Sequence, residues 1–395
     1  MGSFIGVGTV SISDRAKKYL NEVIESTRLS PGPFCKKFEQ EFAKVHGCKY
    51  GIFTNSGTSS LHIAVACLKE RYNWQDNDEI IVPAITFIAT SNVLIHNNLN
   101  PVFVDVEKDT YNLDPKQLKD KITDKTRAIM PVHCFGLPSD MDPIIEIAKQ
   151  HNLKIIEDSC ETMLVNYKGK PVGSLSDISC FSTYACHLIV TGVGGFCLTN
   201  DPENAVIMRS LANHGRDNIY ITMDDIKEKK GEELKEIVGR RFNFIRLGHS
   251  FRANEMEAAL GLAQLEEHQG MMKRRKENAT KLTQRLKELE DKNILQLPKI
   301  SEETEHAFMM FPIVLHNEPK ERLVHYLEEK GIETRDMLPL INQPIYKEKF
   351  NLKEGMFPIS DWINKNGFYI GCHQDITNEE LNYMIETIKD FFKNE

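Results

Sequence analysis

Hydrophobic positions in the first half of the chain fall into short runs spaced by segments of helical length. Residues 33–46 (PFCKKFEQEFAKVH) open on proline and place Phe34, Phe38 and Phe42 at i, i+4 and i+8. That spacing predicts a helix with one apolar stripe. Seven β-rich runs then follow: KYGIFT (49–54), EIIVP (79–83), PVFVDV (101–106), RAIMPV (127–132), LKIIEDS (153–159), DISCFS (177–182) and GFCLT (195–199). The first five are separated by helical lengths, as in SSLHIAVACLKE, where Leu61, Ala64, Val65 and Leu68 share a stripe. The last two are joined by a short connection. Strands alternating with helices predict an α/β fold with a large, mostly parallel sheet covered on both faces.

The pattern changes near residue 253. NEMEAALGLAQLEEH and the segment running to about 290 predict two helices, HAFMMFPIVLH (306–316) a strand, ERLVHYLEEKG a helix and NEELNYMIETIKDFFKN a terminal helix. These fewer, longer pieces predict a small α+β domain over 253–395, after a large α/β domain over 1–252. Residues 223–241 are dense in charge and weakly apolar, and are read as a solvated insertion.

Composition narrows the class. Of the 395 residues, 41% are hydrophobic and 27% charged, as in an ordinary soluble globular protein. A net charge of −8 gives no reason to expect nucleic acid or an anionic membrane as partner. No apolar run approaches a membrane span, and the opening MGSFIGVG lacks the pattern of a signal peptide or a myristoylation site. Nine scattered cysteines without framework spacing or a CxxC pair are read as buried, reduced thiols of a cytoplasmic protein that holds no metal.

Candidate chemistry collects at the ends of the predicted strands. TNSGTSS (54–60) follows a strand and opens a helix, so its amides can cradle an anion or simply cap the helix. Asp158 ends the apolar run IIEDSCE, where a carboxylate needs a cation or strong donors, unless it caps the next helix. Phe87, in PAITFIAT, can stack on a flat ring or join the core. Ser182 can hold a phosphate or cap a turn. Together these groups fit a flat phosphorylated pyridine, for which pyridoxal phosphate is the common cofactor.

These motifs carry a resemblance. FTNSGTSSL, VPAITFIATSN, NPVFVDVEKDTYNLDP, IMPVHCFGLPSDMD, IIEDSCE, SDISCFST, TGVGG and LGHSFRANEMEAALGLAQL resemble the fold-type-I, aspartate aminotransferase-like pyridoxal phosphate family of DegT-type nucleotide-sugar aminotransferases and dehydratases, over nearly the whole chain. The resemblance implies that Gly57, Thr58 and Ser182 hold the cofactor phosphate, that Phe87 stacks on its ring and that Asp158 meets the ring nitrogen. It also implies a homodimer with shared active sites. Glu161 stands where most members carry glutamine, and Ser250, ahead of Arg252, stands where an asparagine usually reaches across the dimer. Arg335, in GIETRDMLP, is a candidate for contact with the nucleotide or with glutamate, or for a surface salt bridge.

The third departure changes the expected outcome. Five residues before Gly192 the family places its Schiff-base lysine, and this chain has His187. Histidine lacks the primary amine needed to hold the cofactor covalently, yet it can transfer protons near neutral pH. A branch of the family with this replacement, typified by GDP-4-keto-6-deoxymannose 3-dehydratases, removes the 3-hydroxyl of a nucleotide-linked 4-keto-6-deoxy sugar. It uses pyridoxamine phosphate, takes its amino group from L-glutamate and releases ammonia. The chain is similar to that branch in His187, in its acidic residue at Glu161 and in a GRD…GRRF-like insertion (215–217 and 239–242). A second histidine-bearing branch uses an iron–sulfur cluster bound by C-terminal cysteines, but here only Cys372 follows Cys197. The competing expectations are a nucleotide-sugar aminotransferase and an inactive relative with a binding or regulatory role.

Overall fold

A computed structural model describes residues 4–218, 223–299, 303–338 and 340–393. The first three residues of the MGSFIGVG opening and the last two of the chain lie outside them. All seven predicted β runs form strands of one sheet: β1 (Tyr50–Thr54), β2 (Glu79–Pro83), β3 (Asn100–Val104), β4 (Thr126–Ile129), β5 (Lys154–Asp158), β6 (Ile178–Ser182) and β7 (Gly195–Thr199). Their spatial order is β1-β7-β6-β5-β4-β2-β3. Six strands run parallel, and β7 runs against both of its neighbours.

Both faces of this sheet are buried, which is why its strands read as continuous apolar runs. Along β2, Ile80 and Val82 pack with helix α3 (Gly57–Arg71), while Ile81 between them packs with helix α4 (Met141–Gln150). Helix α2 (Pro33–Val45) carries the predicted stripe: Phe38 and Phe42 are fully buried, and Phe42 stacks on Phe196 of β7 at 4.1 Å. An N-terminal helix, α1 (Asp14–Ser26), was not evident from the apolar pattern and packs on the long helix described next.

The segment expected as two helices is one, Glu255–Asp291, of 37 residues. It starts at a capping box between Asn254 and Glu257. The internal Gly270 costs about 1 kcal/mol relative to alanine, too little to break a helix packed along its length.

A second sheet, all antiparallel, joins Leu295–Gln296 (β8), Phe311–Leu315 (β9), Thr334–Asp336 (β10) and Gly367–Ile370 (β11) in the order β8-β9-β11-β10. The terminal helix, Asn378–Lys393, shares its core. The strand expected over 306–316 is confined to β9. Arg275 of the long helix donates to the carbonyls of Phe308 and Met309, so these groups are taken before they can join a ladder. Residues 231–240 form a helix with only Ile237 buried, in keeping with a solvated insertion. All nine cysteines are free, and no helix among the described residues is long and apolar enough to cross a membrane.

Candidate active site

The carboxyl ends of the parallel strands open into a cavity of about 490 Å³. Ligands of open α/β sheets bind at this edge. Eight residues singled out from the sequence line it: Gly57, Thr58, Phe87, Asp158, Glu161, Ser182, His187 and Arg335.

Gly57 and Thr58 form the first turn of α3, whose amides have no partners within the helix. Ser56 caps the turn, its Oγ accepting from the Ser59 amide at 3.0 Å. A Cβ on residue 57 would fall 2.7 Å from the Ser182 Cβ and 2.9 Å from the Cys160 sulfur, so only glycine fits. Ser182 closes β6 beside this turn, and its Oγ accepts from the Tyr184 amide at 3.3 Å. The result is a backbone cradle with a hydroxyl at its rim, suited to a phosphate.

Asp158 ends β5 and is only 3% exposed. Its Oδ2 accepts from the Thr90 hydroxyl at 2.8 Å and its Oδ1 from the Cys160 amide at 3.2 Å. Burial pushes its pKa up, and these hydrogen bonds oppose the shift only in part. Among the described residues no lysine or arginine pairs with it. A buried carboxylate without a cation is costly, and a protonated ring nitrogen would supply the missing partner. Phe87 presents a ring that is 61% exposed beside the cavity, an open face on which a flat ligand can stack. The buried carboxylate, the glycine cradle and the open ring fit pyridoxal phosphate.

Glu161 stands three residues beyond Asp158. Its Oε2 accepts from the Phe135 amide at 2.8 Å. Burial, with the nearby Asp158 charge adding to it, pushes its carboxyl up to about 7 against that hydrogen bond.

His187 sits on the loop between β6 and β7. The loop is closed by a 2.6 Å hydrogen bond between the Thr183 and Thr191 hydroxyls and by amide bonds from Thr183 to Gly194 and from Thr191 to Thr183. Gly194 has φ +152°, and a Cβ there would strike both threonine hydroxyls. The His187 Nδ1 lies 3.2 Å from the Ser182 carbonyl oxygen. Burial pushes the imidazole pKa down to about 4; donation to that carbonyl opposes the shift, and the charge of Arg275 adds to it. No lysine lines the cavity among the described residues.

Arg335, on β10, faces the cavity from the second sheet. Its Nη1 donates to the Thr334 carbonyl at 2.9 Å and its Nη2 pairs with Glu333.

The family profile described as the DegT/DnrJ/EryC1/StrS aminotransferase family matches residues 10–389. This chain belongs to that family. Its fold is the fold-type-I aminotransferase fold, and the family depends on pyridoxal phosphate. Relatives of the chain include the GDP-perosamine synthase of Escherichia coli O157:H7, 33% identical, with 98% of this chain and 99% of that protein covered. They also include the GDP-4-keto-6-deoxy-D-mannose 3-dehydratase of Yersinia pseudotuberculosis, 30% identical, with 94% of each covered. A solved E. coli GDP-4-keto-6-deoxy-D-mannose-3-dehydratase with bound hydrated PLP superimposes with a TM-score of 0.87 at 26% identity, covering 98% of this chain and 99% of that one. That type of enzyme, ColD, has also been solved as a variant in which a histidine becomes lysine and the serine before it asparagine.

Two further candidates are not brought into the cavity of this DegT/DnrJ/EryC1/StrS family member. Ser250 and Arg252 are exposed, and the Arg252 guanidinium donates to the Ser250 hydroxyl at 2.9 Å and lies 3.1 Å from His214 Nε2. Short bridges from Asn213 to Ser250 and from Thr54 to Arg252 hold the segment beside β1.

Other lining residues were not singled out from the sequence. Thr90 is three residues past Phe87 in the motif VPAITFIATSN, and that helical spacing was a usable signal. Met309 and Met310 fall in a run whose apolar pattern predicts strand. Val7 and Tyr369 reach the cavity from distant parts of the chain, and no local pattern marks them.

Proposed function

We propose that this DegT/DnrJ/EryC1/StrS family member is a 3-dehydratase of a nucleotide-linked 4-keto-6-deoxy sugar, with L-glutamate as amino donor, serving deoxysugar and surface-polysaccharide synthesis. The observation that carries the reading is His187, a neutral imidazole in a cavity lined by no lysine among the described residues. The Cys186–His187 pair parallels the serine–histidine pair that the ColD variant replaces.

Bound pyridoxamine phosphate supplies an amine to engage the sugar's keto group and a conjugated ring to accept an electron pair. The protein's part is to hold the group and move protons. Gly57, Thr58 and Ser182 hold its phosphate, Phe87 covers one ring face and Asp158 keeps the ring nitrogen protonated. His187 acts at Nε2, because Nδ1 carries the hydrogen donated to Ser182. It first takes a proton as base, then returns one to the departing 3-hydroxyl as acid. A lysine amine at this place would favour nitrogen transfer to the sugar; histidine can only move protons.

Ser250 and Arg252 support a homodimer in which each copy completes its partner's site. They lie beside an exposed apolar run of Phe242, Phe244, Ile245 and Leu247, the last 98% exposed. Such a patch on one chain favours a covering surface.

The aminotransferase reading draws on the GDP-perosamine synthase relative. Mass spectrometry separates the two. Offered nucleotide 4-keto-6-deoxy sugars with glutamate, a dehydratase yields a sugar lacking one oxygen, together with ammonia. A product that retains the nitrogen would overturn the proposal.

A further inference from the structure

The N-terminal segment crosses from the second sheet to the His187 loop. Ile5 pairs with Ile332 at the start of this path, its amide donating to Gly331 and its carbonyl accepting from Glu333, both at 2.9 Å. Val7 lines the cavity. At Gly8 the backbone passes so close to the loop that a Cβ would lie 2.9 Å from the Cα of Cys186, next to His187. His373 donates from Nε2 to the Gly6 carbonyl at 3.2 Å, and a Cβ on Gly371 would lie 2.3 Å from that same oxygen. Residues 5–9 therefore form a fitted strap along one wall of the cavity.

One side chain ties the strap to the cavity's arginine. The Oε2 of Glu333 accepts from the Val7 amide at 2.7 Å, and its Oε1 pairs with the Arg335 guanidinium. The Glu333 side chain is only 14% exposed. We propose that Glu333 is a positioning residue that latches the strap, and that an anion taken up by Arg335 releases it. The proposal rests on the reading of Arg335 as a contact for an anionic group of substrate or glutamate. When the guanidinium turns to such a group, Glu333 loses its counter-charge. A shielded carboxylate without a cation is unfavourable, so it turns to water and gives up the Val7 amide. Strap opening and anion binding are then linked, and the coupling is reciprocal.

Hydrogen exchange on the cofactor-loaded protein tests this, with GDP and glutarate as probes. Without probe, Glu333→Ala exchanges the peptide carrying Ile5 to Thr9 at least about fivefold faster, the equivalent of one net hydrogen bond. Gly8→Ala, which leaves Glu333 intact but crowds the strap off Cys186, gives the same rise. Added to the unaltered protein, at least one probe speeds exchange of that peptide, and Arg335→Met abolishes the response. By calorimetry Glu333→Ala binds that probe several-fold more tightly, whereas a merely structural lesion weakens it. Unchanged exchange in Glu333→Ala overturns the latch. Binding of neither probe, or binding without faster exchange, overturns the coupling. The probe-free exchange does not depend on turnover, so failure to dehydrate a sugar leaves that result standing and is told apart from failure of the latch.

Discussion

The Nδ1 of His187 and the carbonyl oxygen of Ser182 lie 3.2 Å apart. A carbonyl only accepts, so Nδ1 carries the hydrogen and Nε2 is the ring's basic nitrogen. Ser182 thus serves the site twice. Its backbone sets the tautomer of the imidazole, and its side chain borders the phosphate cradle.

Replacing His187 by asparagine leaves an amide able to donate to Ser182 but no titratable group. Cofactor absorbance is expected to stay near that of the unaltered protein, while sugar dehydration falls by about 10²–10⁴, the usual worth of a general acid–base. Stopped-time assays with mass detection measure this. Full activity in the variant would remove His187 from the mechanism.

The pH profile follows from the direction of the His187 shift. Burial lowers its pKa to about 4, so the base form persists well below the ordinary imidazole value near 6.5. The acid limb of kcat/KM is expected below pH 5. The sign for stability agrees: a depressed pKa contributes stability above about 6.5 that is lost as pH falls toward 4. A limb centred at 6.5 would contradict the buried, neutral imidazole.

Asp158 trades stability for its ligand. Its carboxylate is buried with no lysine or arginine pairing with it among the described residues, and its pKa is raised. Asp158→Asn is therefore expected to melt, cofactor-free at pH 8, at or above the temperature of the unaltered protein. The same variant should lose activity by about 10²–10³, in the range of a removed electrostatic partner. Scanning calorimetry and turnover together check the opposed effects.

Glu161 gives a pH-dependent counterpart. Its pKa is raised to about 7 in the folded chain, so its contribution is fully present below about 4.5 and lost as pH rises through 7. Glutamine resembles the protonated acid at every pH. Glu161→Gln should match the unaltered apo protein near pH 4.5 and exceed it by about 1–3 kcal/mol at pH 8, at about 1.4 kcal/mol per unit discounted for partial exposure. Urea denaturation at both pH values reads the difference; equal stability at pH 8 would show that Glu161 ionises normally.

Much of the large sheet could be read from the chain. Strands buried on both faces need uninterrupted apolar residues, and runs such as EIIVP and DISCFS met that need. Seven of the ten candidate site residues stand together because carboxyl strand ends and the turns beyond them share one edge, and Arg335 joins them from the second sheet. Local pattern misleads where it conflicts with tertiary contact. The break expected after His268 does not occur, because packing along the helix outweighs the weakening by Gly270. The strand expected at 306–310 is lost because Arg275 occupies its carbonyls.

The sequence by itself determined which chemical groups end the strands, and that a histidine stands five residues before Gly192. Only the tertiary structure decided their states. The tautomer of His187 and the raised pKa values of Glu161 and Asp158 depend on the exclusion of water and on which donors lie within reach. The bond from the Val7 amide to Glu333 spans 326 residues of chain. Local patterns encode periodicity and turn chemistry; they carry no record of contacts that exist only once the chain has closed on itself.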